Sequence, residues 1–160
     1  MDLNGNKELD LAKVVDVIRY FSNSYKMKNL YLVKLMKCLW YSDFLSYKTY
    51  GKSMTGLVYS ILPMGAVPVD YKSLIKLDGI HYEEEEYDYG IAYRFCKSDQ
   101  NSYDSLTDDD LRVLDCIIQH FGDSTRSEIV DKMHLEKAYT SCRQGEFISY
   151  VYAKDLSISL

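Results

Sequence analysis

Three histidines, His81, His120 and His134, and four cysteines, Cys38, Cys96, Cys116 and Cys142, are the side chains from which this sequence could assemble a nucleophile with its base, or a metal centre. The spacing supports neither. No two cysteines form a C-x-x-C pair, so no metal site is expected. A Cys/His pair could meet in space, yet no pattern singles one out. His120 falls at the end of a helical pattern, where a cation meets the negative end of the helix dipole. His134 falls in a turn between short helices, and His81 stands beside an acidic run. Cys38 and Cys116 lie within apolar helical patterns, where a thiol acts as a small hydrophobe, and all four cysteines are expected to be reduced.

Carboxylates are numerous, but an acid or base needs a pocket that shifts its pKa. Only Asp43 stands out, because it interrupts an apolar helix. A buried carboxylate bonded to a Tyr hydroxyl or a backbone amide is the expectation there. Gly51-Lys52-Ser53 looks like the end of a phosphate-binding loop, but the upstream glycine and the strand-to-helix order are missing. The chain is therefore read as a non-enzyme that needs no cofactor.

Binding has more support. Sixteen tyrosines stand against five Phe and one Trp, and a Tyr ring can be half buried with its hydroxyl wet. Tyr59, Met64 and Val67 lie in a proline-bounded segment whose ordering cost on docking is small; they are candidate partner contacts, or else the prolines and Tyr59 only shape the fold. Glu83, Glu84, Glu85 and Glu86 repel one another and stay solvated, or else face a basic partner. The net charge of −5 argues against nucleic acid, whose affinity comes from neutralising phosphates. Residues 108–121 and 124–133, followed by a returning strand, are compatible with a winged helix. The second of these helices, however, balances Arg126 and Lys132 with Glu128 and Asp131.

The elements that must position these residues follow from periodicity. Leu11, Val14, Val15, Ile18 and Phe21 form one helical stripe over residues 10–21. A second helix over residues 29–46 carries Leu32, Leu35, Met36 and Leu39, widened by Val33, Trp40 and Phe44, and Tyr50-Gly51 closes it. Residues 57–62 read as a strand, 63–68 as a rigid turn, and 69–77 as a short helix with Pro68 near its start. Residues 80–87 and 91–96 read as a hairpin, and 97–106 as a polar loop. Thr107 to Asp110 fits a capping box for a helix with Leu111, Leu114, Ile117, Ile118 and Phe121 inward, ended by Gly122. Residues 124–133 form another helix, 135–141 a last helical turn, 147–152 a strand, and 153–160 a flexible tail. The expected fold class is α+β: one predominantly helical domain over residues 1–160, with its core at about 10–152 and a small antiparallel sheet. No apolar run approaches a membrane span, and the amino terminus lacks a basic flank leading into an apolar core, so a cytoplasmic protein is expected.

The stretch from Lys34 to Asp43, followed by Tyr50-Gly51-Lys52-Ser53-Met54-Thr55-Gly56, resembles the Panacea domain family. In that family a Tyr-Gly helix ending leads to an I/M-T-G turn, a strand and a P-x-G-P-V-P turn. The corresponding residues here are Thr55, Gly56, Tyr59 and Pro63-Met64-Gly65-Ala66-Val67-Pro68, with Ala66 where proline is common. The carboxy-terminal half matches in its acidic cap, its two helices and the turn His134-Leu135-Glu136-Lys137-Ala138-Tyr139, with Tyr139 where the family often has Trp. The resemblance covers about residues 11–150. It implies structural roles for Asp43, Tyr50, Gly51, Thr55, Gly56, Pro63, Gly65 and Pro68, and no shared catalytic centre. It further implies an antitoxin, bacterial or phage-associated, that neutralises a cognate protein toxin by direct contact. The alternatives are a proteolytic adaptor that hands the toxin to a cellular protease, or a winged-helix-like transcriptional regulator.

Overall fold

The computed structural model describes residues 2–160. Helix α1 (Leu11–Asn23) starts where the Asp10 side chain accepts from Lys13 N–H at 3.0 Å. It buries Val14, Val17, Ile18 and Phe21, whereas Leu11 is left 43% exposed, so the inward stripe begins a turn later than its spacing predicts. Helix α2 (Leu32–Tyr50) ends at Gly51, whose φ of 78° is the left-handed conformation that a helix-closing glycine adopts without strain. Every residue from position 34 to position 46 of α2 is buried. A helix buried all round belongs at the centre of a fold, and α1, α4, α5, β2 and the carboxy-terminal 3-10 helix all pack against it.

Beyond α2, β1 (Tyr59–Leu62) pairs antiparallel with β2 (Gly65–Pro68), and the short α3 (Tyr71–Leu74) leads to a second antiparallel pair, β3 (Tyr82–Tyr87) with β4 (Gly90–Phe95). Helix α4 (Asp108–Phe121) opens with a reciprocal capping box between Thr107 and Asp110, and α5 (Arg126–His134) with one between Thr125 and Glu128. A single turn, α6 (Lys137–Thr140), and a 3-10 helix (Tyr150–Asp155) complete the order. The fold is α+β and mainly helical, with two small antiparallel sheets where one was expected. None of its helices is long and apolar enough to cross a membrane, among the described residues.

Three segments depart from the sequence reading. Residues 63–68 are not wholly a turn. Only Pro63 and Met64 turn, and Gly65 to Pro68 run back beside β1, so Pro68 ends a strand and α3 begins later, after Asp70. Residues 147–152 do not return as a strand. Phe147 makes one isolated bridge to Ser60, after which the chain coils into the 3-10 helix, so no wing follows α5. Residues 156–158, expected to belong to a flexible tail, are tied to the body of the fold. Leu156 and Ile158 are buried, Lys48 donates to the carbonyls of both at 2.8 and 3.0 Å, and Ser157 donates twice to the Glu136 carboxylate.

Polar side chains of α2 fasten the surrounding segments. Asp43 Oδ1 accepts from the N–H groups of Met54 and Thr55 at 2.9 and 2.8 Å. Its Oδ2 accepts from the Thr55 hydroxyl at 2.6 Å and the Tyr59 hydroxyl at 2.7 Å. Burial pushes the Asp43 carboxyl up to about 6, against the pull of these hydrogen bonds. Lys34 donates to the carbonyls of Lys28, Gly122 and Ser124. Lys37 has one acceptor, the Ala66 carbonyl at 2.7 Å, and desolvation pushes its amine down to about 7. The Tyr41 hydroxyl donates to Glu136 at 3.0 Å.

Replacing Asp43 by Ala strands four donors in the core and should lower the unfolding free energy by about 3 kcal/mol or more, read by urea denaturation at pH 7. Lys37 gives a pH signature. Its folded amine loses the proton at about pH 7 and the unfolded one near 10.5, so the unfolded chain binds more protons between these values and stability rises with pH across that window. The Lys37→Met variant should lack this rise. The difference in thermal midpoint between variant and parent, followed upward from about pH 7, reads this contribution.

Candidate functional site

The register of the first hairpin sorts its residues into two faces. Tyr59, Ile61, Ala66 and Pro68 point inward and are buried. Tyr59 is fully enclosed, with its hydroxyl on Asp43, so the expectation that it contacts a partner is corrected: it belongs to the core. Ser60 and Val67 stand opposite each other on the other face, which Leu62 shares, while Gly65, opposite Leu62, is buried. Val58 and Val69, linked by Val69 N–H to Val58 O, extend that face at one end, and Phe147 flanks it through its bridge to Ser60. Leu62, Val69 and Phe147 are 38%, 44% and 53% exposed, and Val58 and Val67 are partly exposed. An outward strand face is ordinarily polar. Here it is mostly apolar.

The tip of this hairpin is held rigidly. The Pro63 carbonyl lies 3.0 Å from His134 Nε2 and accepts from the Tyr139 hydroxyl at 3.3 Å, while the two rings stack with centroids 4.5 Å apart. Arg126 reaches the Met64 sulfur. Behind the strand, Lys37 holds Ala66 through its carbonyl. Gly65 has a φ of 111°, and a Cβ there would lie 2.7 Å from Met133 Cγ and 2.8 Å from Lys37 Cε, so only glycine fits between hairpin and core. Met64 remains exposed at the tip, and Leu135, which follows His134, is 83% exposed. Of the expected contacts, Met64 and Val67 therefore do reach the surface.

The four glutamates occupy the other hairpin and divide by strand alternation. Glu83 and Glu85 share a face with Arg94, which pairs with both. Glu85 also accepts from Tyr31 and Tyr87, and these bonds, with Arg94, hold its carboxyl below the usual range. Glu84 and Glu86 lie on the opposite face, exposed. Tyr87 and Tyr89 stack at 5.2 Å beside the turn.

Sequence reasoning missed Leu135, Phe147, Lys34 and Lys37. Two lysines three apart inside an apolar helix were a visible signal of buried ammonium groups. Leu135 lies in a polar turn and Phe147 at the start of an expected strand, and neither position showed locally that its side chain stays exposed. The four thiols are unpaired, and no cluster of three or more His, Cys, Asp or Glu capable of holding a metal occurs among the described residues.

Residues 35–139 match the family model described as antitoxin SocA-like, Panacea domain. Comparison with curated proteins and with solved structures returns no match. The matched span runs from the first turn of α2 into α6 and contains the Asp43 hub, both hairpins and the His134–Tyr139 clamp on Pro63. On that match over most of its length, the chain belongs to the antitoxin SocA-like family of the Panacea domain.

Proposed function

We propose that this protein neutralises a cognate protein toxin by direct contact, docking it on the apolar outer face of the first hairpin. The observation that carries this reading is the exposure of Leu62, Val69 and Phe147 on one side of a strand pair whose other side is buried core. Water beside such a face is released on docking, and interfaces center on anchors of this kind within a polar rim. Met64 is exposed at the hairpin tip, where Arg126 reaches its sulfur and His134 meets the Pro63 carbonyl. The hairpin is already fixed by Lys37, Tyr139 and His134, so little conformational entropy is lost when a partner lands. Inhibition on this reading is stoichiometric occlusion, with no covalent step and no cofactor.

The test is growth rescue on co-expression with the product of the adjacent gene, together with copurification of the two proteins. Phe147→Asp and Met64→Asp should each weaken the complex by about 1–2 kcal/mol, roughly 5- to 30-fold in Kd, and reduce rescue, with thermal midpoints unchanged. Tyr25→Asp, at an 85% exposed position elsewhere, should behave as the parent. Full rescue by both hairpin variants would remove this face from the mechanism.

A further inference from the structure

Strand β3 is paired on one side only. Its register with β4 runs from Tyr82 opposite Phe95 to Tyr87 opposite Gly90, and Cys96 N–H donates to His81 O at 2.9 Å. That bond sets the phase of the ladder: the backbone groups of Glu83, Glu85 and Tyr87 face β4, and those of Tyr82, Glu84 and Glu86 face away from it. The β4 side agrees, because Phe95 turns its N–H away from β3 to reach Leu30 O at 2.9 Å. No further strand adjoins β3 among the described residues, so Tyr82, Glu84 and Glu86 present outward N–H and C=O groups without a backbone partner.

Such an edge is a template for another strand, and its side chains choose which one. On one face Glu83 and Glu85 are already answered by Arg94. On the other, Glu84 and Glu86 are exposed and make no ion pair among the described residues. A second copy of the chain adding β3 to β3 would set glutamate against glutamate, which destabilises a cross-strand pair. A strand with basic side chains at alternate positions meets the opposite condition. We propose that the free edge of β3 receives an extended segment of a partner protein by strand addition, its lysine or arginine side chains at every second position facing Glu84 and Glu86. This surface is separate from the outer face of the first hairpin, and the inference holds whether or not the partner is a toxin.

The probe is a synthetic heptapeptide alternating lysine and valine, titrated into the full chain and compared with the same peptide carrying glutamate for lysine. Amide exchange followed by NMR should slow by about tenfold or more at Tyr82, Glu84 and Glu86 on saturation, with Glu83 and Glu85, already in the ladder, little changed. Two N-methylated peptides complete the test, each blocking one alternate set of amides. Only one set can face β3, so one peptide should bind at least about tenfold more weakly and the other like the parent. Glu84→Gln should weaken binding several-fold, and more so at low salt. Equal affinity of both methylated peptides, unchanged exchange at Glu84 and Glu86, or indifference to lysine against glutamate would each overturn strand addition at this edge.

Discussion

The structure depends on burying ionisable side chains within its central helix and giving each of them a backbone partner. Lys34, Lys37 and Asp43 are all enclosed in α2, where an unpaired charge would be prohibitively costly. Their partners are the backbone groups of loops and strand ends: three carbonyls for Lys34, the Ala66 carbonyl for Lys37, and two amides for Asp43. The helix thus supplies hydrogen bonds as well as apolar surface, and each segment it touches is fixed in one position.

The two hairpins differ because of this. The first is tied to the helix through Lys37 and Tyr59, and its tip is clamped by His134 and Tyr139. The second touches the body at its base, where Phe95 is buried and bonds Leu30, while Tyr89 and Ile91 near its turn are 81% and 51% exposed. One hairpin therefore presents a rigid apolar face, and the other projects an acidic arm. Antitoxin-family membership rests on a match that contains both.

Much of this was legible in the sequence. Apolar spacing and capping residues located the four long helices to within a few residues, because helix periodicity and caps are local properties. Alternation located the second hairpin. Asp43 was recognisable as a polar residue inside an apolar run, and its bonds to a tyrosine hydroxyl and to backbone amides were the kind anticipated. What failed was tertiary in origin. Pro63 and Pro68 read as turn residues, but Pro68 can end an edge strand because the fold requires no N–H from it there. The carboxy-terminal residues looked free to fray, and they are held by Lys48 and Glu136, distant in sequence. Whether Tyr59 meets a partner or shapes the core was left open, since nothing local reveals that it is the tyrosine bonded to Asp43. The apolar outer face emerged only from strand register, which brings Phe147 beside residues 85 or more positions earlier.

The polar ties of the core are also long. Lys34 reaches Gly122 across 88 positions, Tyr41 reaches Glu136 across 95, and Lys13 meets Asp110 across 97. Closing such loops costs entropy before any bond is gained, so these contacts form late, when the apolar segments have already collapsed. A half-assembled chain would hold naked ammonium and carboxylate groups against hydrocarbon, a state less favourable than either extreme. Intermediates of that kind are disfavoured, which favours cooperative folding in which the central helix and the carboxy-terminal half stabilise each other.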